Sequence, residues 1–133
     1  MRAMIRCARA LLAAVALLGA APGVAQVRLI EDVVASQQRG YVTVTVLFSC
    51  TLRYASHTPA TEGETVNVRL AAGPDCGRGG LSEPQPLLAG AAGSVRSIEV
   101  IRPYGTQVEL RIGWMRPESF VVTPSMDGRV LRI

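Results

Sequence analysis

The chain predicts an all-β fold, a small antiparallel β-sandwich built from an internal duplication and preceded by a helical signal peptide. Three observations carry that expectation. Residues 41–48 and 108–114 alternate apolar with polar side chains at a period of two, the mark of a strand with one buried and one wet face. The second segment repeats the first at a fixed offset of 66 residues: Val42, Val44, Val46 and Phe48 fall on Val108, Leu110, Ile112 and Trp114, and Tyr54 falls on Phe120. Beyond residue 25 no stretch carries a helical period, while Gly and Pro punctuate the chain at short intervals. Two similar units, each with an apolar face to cover, bury most by packing those faces together.

Residues 1–25 read as a secretory leader. Arg2, Arg6 and Arg9 make a positive start, residues 10–21 form an apolar run too short to span a bilayer, and Gly23, Val24 and Ala25 offer small residues before Gln26. No Cys follows the cleavage point to take a lipid, and no Arg-Arg pair precedes the apolar run. The expected product is periplasmic and soluble, with no stable membrane insertion once the leader is removed. Its removal also changes the charge balance. Three of the fourteen basic residues leave with it, so eleven stand against ten acids. Counterion release on nucleic acid needs a clustered positive excess, so a nucleic-acid partner is not expected. All the basic residues are Arg and none is Lys, which fits the codon usage of a GC-rich bacterial genome and supports no functional conclusion.

The mature chain, 26–133, is long enough for one core and too short for two. Its first repeat covers 27–70, with strands expected at 27–33, 41–48, 52–55 and 65–70 and a turn at Arg39-Gly40. Val, Thr, Ile and aromatic residues in these runs suit pleated, half-buried positions. The connection, 71–94, holds Gly73-Pro74, Gly77, Gly79-Gly80, Pro84, Pro86 and Gly90; it is longer than a compact domain usually leaves structureless, so part of it is expected to lie across the end of the sheets. The second repeat covers 95–133, with strands at 97–101, 108–114, 119–122 and 130–133. Turns are expected at Pro103-Tyr104-Gly105, Pro117, Pro124 and Asp127-Gly128. Its opening, Val95-Arg96-Ser97-Ile98-Glu99, aligns with Val27-Arg28-Leu29-Ile30-Glu31. With one residue fewer in the following loop, Val66 and Val68 fall on Leu131 and Ile133.

Cys7 belongs to the leader, which leaves Cys50 and Cys76. An even pair in an oxidising compartment invites a disulfide, worth about 3–4 kcal/mol in the chain-entropy model. Spacing alone does not show that the two Cβ atoms face each other; the other reading is a buried thiol at a strand end and a loop thiol.

The order of elements carries a resemblance. An opening strand, a turn, a long alternating strand ending in Phe, the segment Leu52-Arg53-Tyr54, a polar loop, and a closing strand such as Asp127-Gly128-Arg129-Val130-Leu131 together resemble the AMIN domain, the amidase N-terminal module of bacterial envelope proteins. The resemblance implies a symmetric sandwich of two short sheets, and it implies peptidoglycan binding or placement of envelope machinery. The segment Glu64-Thr65-Val66-Asn67-Val68 lacks the Pro-Asp-Arg signal that often precedes the family's strand, and the Cys-bearing connection has no counterpart there. The family's module usually accompanies a catalytic or anchoring domain; with the last strand expected to end at Ile133, this one is expected to act by binding alone.

No catalytic constellation is legible. His57, the only histidine, with Ser56, Asp75 and Cys76, lacks the orienting partner and rigid elbow that nucleophilic catalysis needs, and reads as an exposed loop residue. One His and two Cys without ligand spacing do not make a metal site, and no cofactor is expected. Glu62 and Glu64 read as solvated charge in a turn. The run Gly77-Arg78-Gly79-Gly80 lacks the Lys and the strand-to-helix context of a phosphate loop. Phe48 and Trp114 fall in the core register. Outward positions are the better binding candidates: Thr43, Thr45, Asn67 and Arg69 in the first half, and Gln107, Glu109, Arg111 and Arg132 in the second. Their Arg and amide groups suit the carboxylates and N-acetyl groups of a peptidoglycan strand. The expected function is therefore a non-catalytic periplasmic module for peptidoglycan or envelope localisation. The alternative is a protein interaction module that pairs an exposed strand edge with a partner's strand, with 130–133 as the expected edge.

Overall fold

The computed structural model describes residues 28–77, 82–85 and 93–133. The expected leader, 1–25, and most of the 77–80 glycine run lie outside the described residues. Nine strands follow in order: β1 (Ile30–Gln38), β2 (Tyr41–Phe48), β3 (Leu52–Thr58), β4 (Glu62–Ala72), β5 (Ser82–Gln85), β6 (Val95–Tyr104), β7 (Gln107–Ser119), β8 (Thr123–Pro124) and β9 (Val130–Arg132). They form two antiparallel sheets, one ordered β1-β2-β9-β8 and the other β3-β4-β7-β6-β5. The only helical element among the described residues is a single 3-10 turn at Pro74–Cys76. No described helix is long and apolar enough to cross a membrane.

The alternation in the sequence becomes the core. Val44, Val46 and Phe48 of β2 point inward with Leu131 of β9, and Val66, Val68 and Leu70 of β4 meet them with Val108, Leu110, Ile112 and Trp114 of β7. Most of these side chains are under 5 % exposed, so burial at about 25 cal/mol per Å² of apolar surface drives the two faces together. Phe48 and Trp114 both lie in this shared interior.

The duplication is visible in hydrogen-bond register. Thr45 pairs with Arg132 and Val46 with Leu131 across β2 and β9; Arg111 pairs with Asn67 and Ile112 with Val66 across β7 and β4. These are the same ladder at the offsets the sequence showed. Each half thus donates its first two strands to one sheet and its last two to the other: β1-β2 is continued by β9-β8, and β6-β7 by β4-β3.

The opening alignment is corrected by the same register. Val33 pairs with Val46 as Ile98 pairs with Ile112, and Ile30 pairs with Phe48 as Val95 pairs with Trp114. The true offset of the opening strand is therefore 65. Both copies carry a bulge at the equivalent place, between Ile30 and Asp32 and between Val95 and Ser97. The shared bulge cannot account for the step from 66 to 65; the second copy carries its extra residue at a further irregularity between Ile101 and Tyr104, and the matching Val-Arg letters fix no pairing partner.

Other boundaries shift for local reasons. The first strand runs from Ile30 to Gln38, up to a two-residue hairpin whose Gly40 has φ 86°. Pro117 lies within β7, where the ladder with β4 jumps from Thr65–Gly113 to Gly63–Glu118; a proline is accommodated where pairing is interrupted. Residues 120–122 carry no strand, and β8 is confined to Thr123–Pro124. Glu62 and Glu64 belong to β4 and not to a turn.

Candidate functional site

A pseudo-symmetric sandwich has two equivalent ends, and this one treats them differently. Past Phe48, the end is plugged. Cys50 and Cys76 form a disulfide with a Cα–Cα distance of 5.0 Å, which seats the 3-10 turn against the sheets. Both sulfurs are in the core, each residue no more than 1 % exposed. Arg102, the one buried charged residue among those described, closes the plug: its guanidinium donates to the carbonyls of Cys76, Gly77 and Gly105. Asp75 adds an outer clasp. Its carboxylate accepts from the Thr51 backbone N–H at 2.9 Å, from the Thr51 hydroxyl at 3.1 Å and from Arg129 at 3.0 Å. Partial desolvation pushes the Asp75 pKa up, but those hydrogen bonds, helped by the Arg129 charge, outweigh it and hold the carboxyl below the usual range.

Past Trp114, the equivalent end is open among the described residues. A cleft of about 1020 Å³ lies between the sheets there, with the β1–β2 hairpin on one side and the end of β7 on the other. Trp114 and Phe120 form its apolar wall, stacked with ring centroids 6.3 Å apart. The Trp114 indole Nε1–H is buried and has no hydrogen-bond acceptor among the described residues, an arrangement that costs about 1–3 kcal/mol. Arg116 and Arg132 line the same cleft, as does Glu118. Arg116 lies 3.6 Å from Glu118 and is largely exposed, so this pair is loosely held.

Behind Phe120 the aromatic row continues to His57, whose ring lies 6.3 Å away edge-on. His57 is half-buried on β3 and not in an exposed loop. The Ala60 carbonyl can only accept, so Nε2 carries the proton and donates to it at 2.9 Å; Nδ1 then accepts from the Tyr54 hydroxyl. Both ring nitrogens are therefore engaged in fixing the turn after β3.

The eight outward residues expected from the sequence do not make one surface. Thr43, Thr45 and Arg132 face out from the β1-β2-β9-β8 sheet, while Asn67, Arg69, Gln107, Glu109 and Arg111 face out from the other, on the opposite side of the sandwich. Arg111 is also committed internally, donating to Asn67 Oδ1 and Glu109 Oε1 at 3.0 Å each, with Glu99 3.9 Å away. Thr43 and Arg132 are the two that reach the cleft. Alternation alone gives Trp114 a packing role and does not single out Arg102. A signal for the arginine is nonetheless present: Ile98, Val100 and Arg102 share one phase of the alternation, so Arg102 falls on the core face.

The expected edge is also corrected. β9 lies between β2 and β8, because the last strand of the second half closes the sheet begun by the first. Among the described residues no group of His, Cys, Asp and Glu is placed to hold a metal. No known family matches the chain, and no characterised protein and no solved structure is significantly similar to it.

Proposed function

We propose that this chain is a secreted, non-catalytic binding module of the bacterial envelope that takes a strand of cell-wall polymer in the cleft past Trp114. The observation that carries the reading is the asymmetry of the two ends among the described residues: one is sealed by a disulfide-pinned turn and a buried arginine, and the other keeps a cleft with an aromatic wall. A peptidoglycan strand offers what such a cleft lacks. Its sugar C–H faces suit the Trp114 and Phe120 rings, and its stem-peptide carboxylates suit Arg116 and Arg132. The likeness in strand order to the AMIN domain points to the same ligand class. Affinity would be modest, since it comes from a few hydrogen bonds and limited buried area.

The test is retention on purified sacculi. The wild-type protein is expected to co-sediment, and Phe120→Ala, which removes one ring of the apolar wall, is expected to lower retention about fivefold. The double variant Arg116→Ala/Arg132→Ala should lose more. Wild-type retention no greater than that of a denatured control would overturn the proposal.

A further inference from the structure

The duplication gives the molecule two equivalent strand edges, and only one of them is covered among the described residues. On the outer side of β6 the connection returns as β5 and adds an antiparallel strand: Ser82 pairs with Ile101, Glu83 with Val100, Pro84 with Glu99 and Gln85 with Ile98. Through the offset of 65, the matching positions of β1 are Ser36, Ala35, Val34 and Val33. β1 is the terminal strand of its sheet. The fold thus demonstrates within itself what this edge geometry accepts, which is a short extended segment running antiparallel.

The phase of the free groups follows from the ladder. Val44 exchanges both backbone hydrogen bonds with Ile133, at 2.8 and 2.9 Å, so its groups face β9 and its partner Ala35 directs its own N–H and C=O outward, away from β2. By the two-residue period Val33 and Gln37 do the same. Val33 N–H is already taken by the Asp32 carboxylate at 2.8 Å. That leaves Ala35 and Gln37 as the edge groups offered to a partner. From Val33 to Gln38, beyond the bulge and the two acids at its start, the strand carries none of the usual blocks against pairing, having no Pro and no charged side chain, and its outer face includes Val34, 47 % exposed.

We propose that β1 pairs antiparallel with β1 of a second copy of this chain, joining two four-stranded sheets into one continuous sheet about a two-fold axis. A two-fold pairing of one strand with itself is necessarily antiparallel, as β5 on β6 is. The register that uses only the uncapped groups sets Ala35 opposite Gln37 of the second copy and Ser36 opposite Ser36. It is also the register that the charges permit: Glu31 and Asp32 fall outside the paired stretch, so no acid faces an acid. Gln37 belongs to both this edge and the lining of the cleft, whereas Ala35 and Ser36 lie outside the cleft, so variants at 35 and 36 test the pairing without touching the cell-wall proposal.

Sedimentation velocity over a concentration series tests it. The wild type is expected to move from monomer to dimer as concentration rises. Ser36 sits on the axis, at a pair where side chains approach closely, so Ser36→Lys and Ser36→Glu should each weaken association about fivefold or more by setting like charges opposite. An equimolar mixture of the two should restore it. Ala35→Pro removes the outward N–H without disturbing the β2 ladder and should give a monomer with an unchanged circular dichroism spectrum. A wild type that stays monomeric throughout, or a dimer indifferent to both Ser36 variants while their spectra remain native, would overturn the proposal.

Discussion

Trp114 and Phe48 occupy equivalent positions, and the indole is the larger ring and the only one of the two with a polar atom. Phe48 sits beside the disulfide plug and asks for nothing, whereas the Trp114 indole brings a donor into the interior and finds no acceptor there among the described residues. The polar residues of the plug are the reverse case, since Arg102 and Asp75 have their principal groups satisfied. Asp75 yields a pH prediction. Its folded-state pKa is lowered, so its contribution to stability is complete above the ordinary carboxylate range and is lost as pH falls through the lowered value. Asp127 is lowered in the same sense, first by the Ser125 hydroxyl and then by the Arg129 backbone N–H. Thermal melts from neutral to strongly acidic pH should show the wild type losing stability across that window, and Asp75→Asn should flatten the slope. An unchanged slope would remove Asp75 from the account.

Among the strands, the connection between the halves does two jobs that its composition does not advertise. Its first part, pinned by Cys76, fills the end beyond Phe48, and its middle, β5, covers the edge of β6. Pro84 is tolerated in β5 because it pairs with Glu99, whose neighbours Ile98 and Val100 direct their groups to the added strand while Glu99 does not. The disulfide closes a loop of sequence separation 26. Its removal in Cys50→Ala/Cys76→Ala should cost about 3 kcal/mol and lower Tm by roughly 10–20 °C. The cleft is at the far end, so sacculus retention at low temperature should survive; calorimetry and co-sedimentation on the same variant check the two halves of that statement.

The exchange of closing strands decides how the chain folds as a unit. Each sheet is built from both halves, so neither half holds a complete pair of faces to bury. Separate peptides covering 26–70 and 95–133 are each expected to be unfolded by circular dichroism. Mixed at high concentration they are expected to gain strand signal together, since the β2–β9 and β4–β7 ladders connect them. A half that folds alone would contradict the exchanged arrangement.

Much of this architecture is legible in the amino-acid sequence. The period-two runs put Val44, Val46, Leu110 and Ile112 in the core, and the offset of 66 aligns β2 with β7, because both depend only on which side chains avoid water. The same reasoning puts Phe48 and Trp114 inside, and an even cysteine pair behind an expected secretory leader makes a Cys50–Cys76 bond reasonable. It does not show that β9 lies within a sheet, that the opening strands align at 65, or that the expected binding residues divide between opposite faces. Those depend on which strand neighbours which, and alternation is blind to that. Local pattern and burial thus suffice to define the two apolar faces and their likeness. That the halves exchange strands, and that one end is sealed while the other stays open, emerges only in the folded chain, because pairing partners and the path of the connection are set by contacts between residues far apart in the sequence.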